Sequence, residues 1–82
     1  MKIKPLNKKQ KDYLTRHQLN KKFSKQAKFF QDNPRYPSLN TELLEPESER
    51  VYSFRIDRKY RTLFIFLTSE EIEIIDINVH YQ

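Results

Sequence analysis

Over its C-terminal third, SFRIDRKYRTLFIFLTSEEIEIIDINVHYQ, the chain alternates apolar and polar residues with the period of two that belongs to a β-strand. The pattern predicts strands at about 51–57, 60–67 and 72–79, with turns at Asp57-Arg58-Lys59 and Thr68-Ser69-Glu70. An antiparallel meander is the simplest way to join them. With a three-residue first turn, Arg55, Arg61, Asp76, Asn78 and His80 share one face. Tyr52, Phe54, Ile56, Tyr60, Phe64, Phe66, Ile75, Ile77 and Val79 form an apolar opposite face, and Leu63, Ile65 and Ile74 fall among the polar residues. An apolar sheet face needs a covering layer.

The segment upstream supplies one. Asn7 is placed to cap a helix running to about His17, and Asn20 a second running to about Gln31, which Asn33-Pro34 stops. Phe23, Ala27 and Phe30, and Tyr13 and Leu14 with their neighbours, give each helix one apolar stripe. Residues 2 to 4 fit a short edge strand ended by Pro5. From Asn33 to Glu49 the chain reads as a long connection carrying Pro34, Pro37 and Pro46, with Leu39, Leu43 and Leu44 pinning it to the core. The expected architecture is α+β: an N-terminal helical hairpin on a three- to four-stranded twisted antiparallel sheet, in one domain spanning 1–82.

Composition narrows the chemistry. With no glycine, the chain has neither a Walker A loop nor a dinucleotide fingerprint, so no nucleotide cofactor is expected. No cysteine means no disulfide framework and no thiolate chemistry, and two histidines without ligand spacing give no zinc site. No apolar run approaches the roughly 20 residues of a membrane span, and the N-terminus lacks a signal-peptide pattern, so the chain is read as cytoplasmic. The net charge is +5, and ten Lys and Arg side chains fall within the first 28 residues. Such a surface favours polyanions; the alternative is a solvated lysine-rich helix face.

The order of elements and several short stretches resemble the RelE/ParE superfamily of toxins from bacterial toxin–antitoxin pairs. The stretches are Asn33-Pro34-Arg35-Tyr36-Pro37-Ser38-Leu39, Leu43-Leu44, Tyr52-Ser53-Phe54-Arg55-Ile56, Tyr60-Arg61 and Ile74-Ile75-Asp76-Ile77, running into His80-Tyr81. The resemblance implies a small domain that is held silent by a cognate antitoxin. In its RelE-like branch such a domain enters the ribosome and cuts messenger RNA without metal or other cofactor; in its ParE-like branch it inhibits DNA gyrase. YoeB-like members end in a His-Tyr pair, matched by His80-Tyr81, and use arginines matched by Arg55 and Arg61. They also carry a glutamate just after the helical hairpin, which aligns near Ser38 here, with Glu42 the nearest acid.

Those matches point to a ribosome-dependent messenger-RNA endonuclease with Arg55, Arg61, His80 and Tyr81 at its centre. Attack of a ribose 2′-hydroxyl on its phosphate requires a base, cations for the developing charge, and an acid for the leaving oxygen. Histidine titrates near physiological pH and suits either proton role. The two guanidinium forks match phosphate oxygens, unless they merely pair with Asp76 or Asp57 across strands. Tyr81 suits stacking on a base or hydrogen bonding. Asp76 and His80 lie about 13 Å apart on an extended strand, so Asp76 reads as structural. Lys8, Lys9, Lys11, Lys21, Lys22, Lys25, Lys28, Arg58 and Lys59 are the candidates for gripping RNA, and His17 is given no role. Glu42, Glu45, Glu47 and Glu49 read as a solvated acidic loop, with Glu42 as proton acceptor the alternative. The competing functions are a ParE-like gyrase inhibitor and an inactive relative that only binds its antitoxin.

Overall fold

The computed structural model describes residues 1–80. Its elements are β1 (Lys2–Ile3), α1 (Lys8–Arg16), α2 (Asn20–Asp32), β2 (Glu42–Leu43), β3 (Tyr52–Arg55), β4 (Tyr60–Phe66) and β5 (Glu71–Val79). Single 3-10 turns occur at Pro37–Leu39 and Glu47–Glu49. The strands form one sheet in the order β1-β5-β4-β3-β2. β3, β4 and β5 make the expected meander.

The edge strand expected at residues 2 to 4 forms as β1, and the sheet exceeds the expected three to four strands by β2 at the other edge. β1 pairs parallel to β5, through Lys2 with Glu71 and Ile3 with Ile72, so the sheet is mixed rather than wholly antiparallel. The helical hairpin between β1 and the rest of the sheet is long enough for the crossover that a parallel neighbour requires. β2 lies inside the segment expected to be a loop. It pairs Glu42 with Ser53 and Leu43 with Tyr52, and the Leu44 amide extends the ladder to the Val51 carbonyl.

The helices form as their caps dictate. Asn7 caps α1 through its side chain, which accepts from the Gln10 amide at 2.8 Å, while the Gln10 side chain accepts from the Asn7 amide at 3.1 Å. Such a reciprocal box satisfies two of the orphan donors of a helix start. At the other end Gln18 turns left-handed (φ 57°), its amide reaching the Thr15 carbonyl and the Leu19 amide the Leu14 carbonyl. This is a Schellman closure with Leu14 and Leu19 buried as its hydrophobic contact. It also moves the start of α2, because Leu19 takes the cap position and Asn20 becomes the first helical residue. The Asn20 side chain donates to the Thr15 hydroxyl instead.

Both helices lie on the apolar side of the sheet. Leu14, Phe23 and Phe30 meet Phe54, Ile56, Tyr60, Phe64, Ile72, Ile74 and Ile77 in one core, closed from the side by Leu39. Phe30 sits at its centre, with ring centroids 5.1 Å from Phe54 and 5.0 Å from Phe64. Leu39 is fully buried, and Leu43 and Leu44 are half-buried.

One irregularity sets which side each β5 residue faces. β4 pairs with β5 through Leu63–Asp76 and then Phe64–Ile74, which leaves Ile75 as an extra residue. A single inserted residue reverses the alternation beyond it. Ile74 therefore belongs to the core at 4% exposure and Ile75 is 43% exposed, the reverse of what unbroken alternation predicts. The inversion lets Ile72, Ile74 and Ile77 all turn inward on one strand.

Candidate active site on the open face of the sheet

The sheet side away from the helices carries two cross-strand rows. In the first, Arg55 of β3 is the direct partner of Arg61 of β4, and Arg61 of Asn78 in β5. Side chains of directly opposed residues stand side by side, with Cβ atoms about 4.5–5.5 Å apart. Arg55 and Arg61 are both half-buried. Among the described residues the salt bridges are Lys4–Glu73, Lys8–Asp12 and Lys22–Asp57, and none involves either arginine. The alternative in which these arginines only pair with Asp57 or Asp76 is thus not what the structure holds. Arg61 instead donates from Nε to Asn78 Oδ1 at 3.1 Å, and Asn78 Nδ2 donates to Asp76 Oδ2 at 3.0 Å. Arg55 Nε is buried and has no hydrogen-bond partner among the described residues.

The second row runs from Glu42 through Ser53 and Leu63 to Asp76. It brings Glu42 onto the open side, one residue pair away from the arginines. Its Oε1 accepts from Asn40 Nδ2 at 2.9 Å and the side chain is otherwise exposed. Ser38, near which the resemblance aligned an acid, donates its hydroxyl to Gln26 Oε1. Gln26, which the sequence reading did not single out, is 7% exposed and ties α2 to this region by donating to the Ser38 and Arg55 carbonyls. Glu42 therefore joins Asp76 as an acid on this face, and unlike Asp76 it is not tied to Asn78. The loop-like composition around it concealed the two-residue strand that places it there. A cleft of about 500 Å³ opens at the β2 edge next to Glu42, and Tyr52 and Phe66, from the helix side of the sheet, line it with Tyr36.

At the far end of the face the His80 amide donates to the Lys59 carbonyl at 2.6 Å, carrying the β4–β5 pairing one residue past Val79. Alternation from Val79, opposite the core residue Tyr60, directs His80 to the side of Asn78 and Arg61. The turn that receives it is rigidly built. Asp57 Oδ1 accepts from the Lys59 and Tyr60 amides, both at 2.8 Å, and Asp57 Oδ2 from Lys22 Nζ at 3.1 Å. Burial pushes the Asp57 carboxyl up, but the two amides and the Lys22 ammonium outweigh it and hold its pKa below the ordinary aspartate value. Tyr81 lies outside the described residues.

Solved structures with this arrangement of elements exist. The YoeB/ParE toxin from Agrobacterium tumefaciens superposes with a TM-score of 0.68 at 20% identity, covering 99% of this chain and 100% of that one. This chain has the YoeB/ParE toxin fold. A YoeB-YefM complex from Staphylococcus aureus, also seen as a heterotetramer, matches with the same score and identity over 98% of this chain and 94% of its own. No family model and no curated sequence matches.

Within the YoeB/ParE fold the remaining candidates lie elsewhere. Lys8, Lys9, Lys11, Lys21, Lys22, Lys25 and Lys28 are exposed on the two helices, the layer on the other side of the sheet from Arg55 and Arg61. Two of them are engaged, Lys8 with Asp12 and Lys22 with Asp57. Arg58 and Lys59 occupy the turn beside His80, with Lys59 Nζ 5.3 Å from the Tyr60 ring centroid. His17, given no role from the sequence, touches the Tyr60 hydroxyl through Nδ1 at 3.2 Å and lies tilted against the Tyr13 ring, with centroids 4.3 Å apart. Among the described residues no cluster of His, Cys, Asp or Glu is placed to hold a metal ion, and no helix is long and apolar enough to cross a membrane.

Proposed function

We propose that this chain is the toxin of a toxin–antitoxin pair and that it cleaves messenger RNA on the ribosome. The observation that carries the reading is the Arg55–Arg61 pair: two like charges directly opposite on adjacent strands, half-buried and with no acidic partner among the described residues. Unneutralised, such a pair opposes folding, and an anion between the two forks relieves it. The fold shared with YoeB-YefM complexes supports an antitoxin as partner.

In the proposed reaction the ribose 2′-hydroxyl loses its proton to a base and attacks the adjacent phosphorus. Arg55 and Arg61 take up the charge that gathers on the non-bridging oxygens, and an acid delivers a proton to the departing 5′-oxygen. The products are a 2′,3′-cyclic phosphate and a 5′-hydroxyl. His80 fills one proton role and Glu42, reaching the same face from β2, the other. Tyr81, the residue after His80 in the sequence, is assigned stacking on a base or donation of a hydrogen bond. The helix lysines, with Arg58 and Lys59, form a separate basic surface for ribosomal RNA, whose grip weakens as salt rises.

Expression without an antitoxin tests the reading. Growth arrest with messenger RNA cut within translated codons is expected, and both effects vanish when Arg61 and His80 are replaced together by alanine. Arrest that persists in that double variant removes the proposed centre, and DNA damage with intact translation replaces nuclease with gyrase inhibition.

A further inference from the structure

We infer that Asn78 is a positioning residue for Arg61, and that Asp76 sets its orientation; the inference rests on the nuclease reading for its kinetic consequences, though not for its structural one. An asparagine amide presents an acceptor on one side and donors on the other, and which way it points is decided by its neighbours. Asp76, as a carboxylate, only accepts. Its Oδ2 therefore selects the Asn78 Nδ2 end, at 3.0 Å, and leaves Oδ1 turned toward Arg61 Nε at 3.1 Å. Both contacts are built into the sheet, because Asn78 is the register partner of Arg61 and Asp76 lies two residues along the same strand face.

The chemistry of the middle residue matters. A carboxylate at position 78 would also hold the guanidinium, but it would cancel the charge that a phosphate has to meet. An amide anchors Nε with a neutral acceptor and leaves the outer edge of the fork, with its full charge, for the substrate. Among the described residues Arg55 has no such anchor, its Nε being buried without a partner there. The two arginines are thereby distinguished, Arg61 held in place and Arg55 unbound at the corresponding atom.

The test combines hydrogen exchange at Arg61 Nε, followed by NMR on the free protein, with cleavage of messenger RNA on translating ribosomes. In Asn78→Ala the Nε hydrogen should exchange faster and kcat should fall about 10- to 100-fold, since a misplaced cation loses transition-state contact more than ground-state binding. In Asn78→Asp exchange should stay slow while KM rises, the new carboxylate competing with phosphate. Asp76→Asn can donate as well as accept, so it no longer dictates which end of Asn78 faces Arg61 and should give exchange and kcat between those of the natural protein and Asp76→Ala; Asp76→Ala should resemble Asn78→Ala in weaker form. Unchanged exchange in Asn78→Ala, in a variant whose amide spectrum shows it folded, overturns the inference. So does an Asp76→Ala variant that matches the natural protein in both measurements. If the natural protein cuts nothing on ribosomes, the nuclease reading falls, and the exchange measurement still decides whether Asn78 anchors Arg61.

Discussion

Arg55 and Arg61 face each other directly across β3 and β4, and neither meets a carboxylate among the described residues. Repulsion between opposed like charges opposes folding by roughly 0.2–1 kcal/mol. Replacing Arg55 by glutamine should therefore raise stability by about that amount in urea unfolding at low salt, while abolishing RNA cleavage. Inorganic phosphate should raise the melting temperature of the natural protein and leave that of the Arg55→Gln/Arg61→Gln variant unmoved.

Thr62 presents a different conflict. It is fully buried between its cross-strand partners Phe54 and Ile77, and its hydroxyl has no hydrogen-bond partner among the described residues. A buried donor left unsatisfied costs about 1–3 kcal/mol, and an apolar group of similar shape removes that penalty. Thr62→Val should stabilise the fold by about 1 kcal/mol, read as a higher urea midpoint with an unchanged slope.

The glycine-free sequence places Gln18, Asn40 and Arg50 in left-handed backbone conformations. For a residue with a Cβ atom that conformation costs roughly 1–2 kcal/mol, and glycine is the usual occupant of the position after a helix that Gln18 holds. Gln18→Gly should raise thermal stability by about 1 kcal/mol, since the Schellman closure of α1 uses only backbone groups of residue 18.

Asp57 links the turn under His80 to pH. Its pKa is lowered in the folded protein, so its contribution to stability is complete above the unfolded aspartate value of about 3.9 and is lost as pH falls through the folded one. The natural protein should lose stability on acidification below about pH 4 more steeply than Asp57→Asn. Parallel acid-unfolding curves for the two would show that the turn does not depend on the charged carboxylate.

The helical hairpin, the meander and the apolar side of β3 and β4 were legible because each follows from a local rule: the Asn7 cap, the stop at Asn33-Pro34 and period-two alternation. The α+β arrangement expected from them is the one found. The misplacement of Ile74 and Ile75 had a different origin. Both are isoleucine, so nothing in the local pattern marks where the alternation slips, and the slip is fixed only by pairing with Leu63 and Phe64. Of the two outer strands, β1 was legible as an edge strand ended by Pro5, whereas β2 was hidden, since a two-residue pairing such as Glu42–Ser53 rests on a partner distant in sequence. Arg55 and Arg61 could be placed on one face from the turn length alone. The Arg61–Asn78–Asp76 chain could not, because it depends on the lateral register between β4 and β5.

The extra residue at Ile75 has a consequence for how the chain tolerates change in length. Glu71 to Ile74 are keyed to β1 and to the outer half of β4, whereas Asp76 to His80 are keyed to the inner half of β4 and the turn beyond it. Position 75 is the joint where the two keys meet. Deleting Ile75 would set Ile74 directly before Asp76, so that Leu63–Asp76 and Phe64–Ile74 become neighbouring pairs of an unbroken ladder with Ile72, Ile74 and Ile77 still turned inward; the sheet should absorb the loss of this exposed residue with both registers intact.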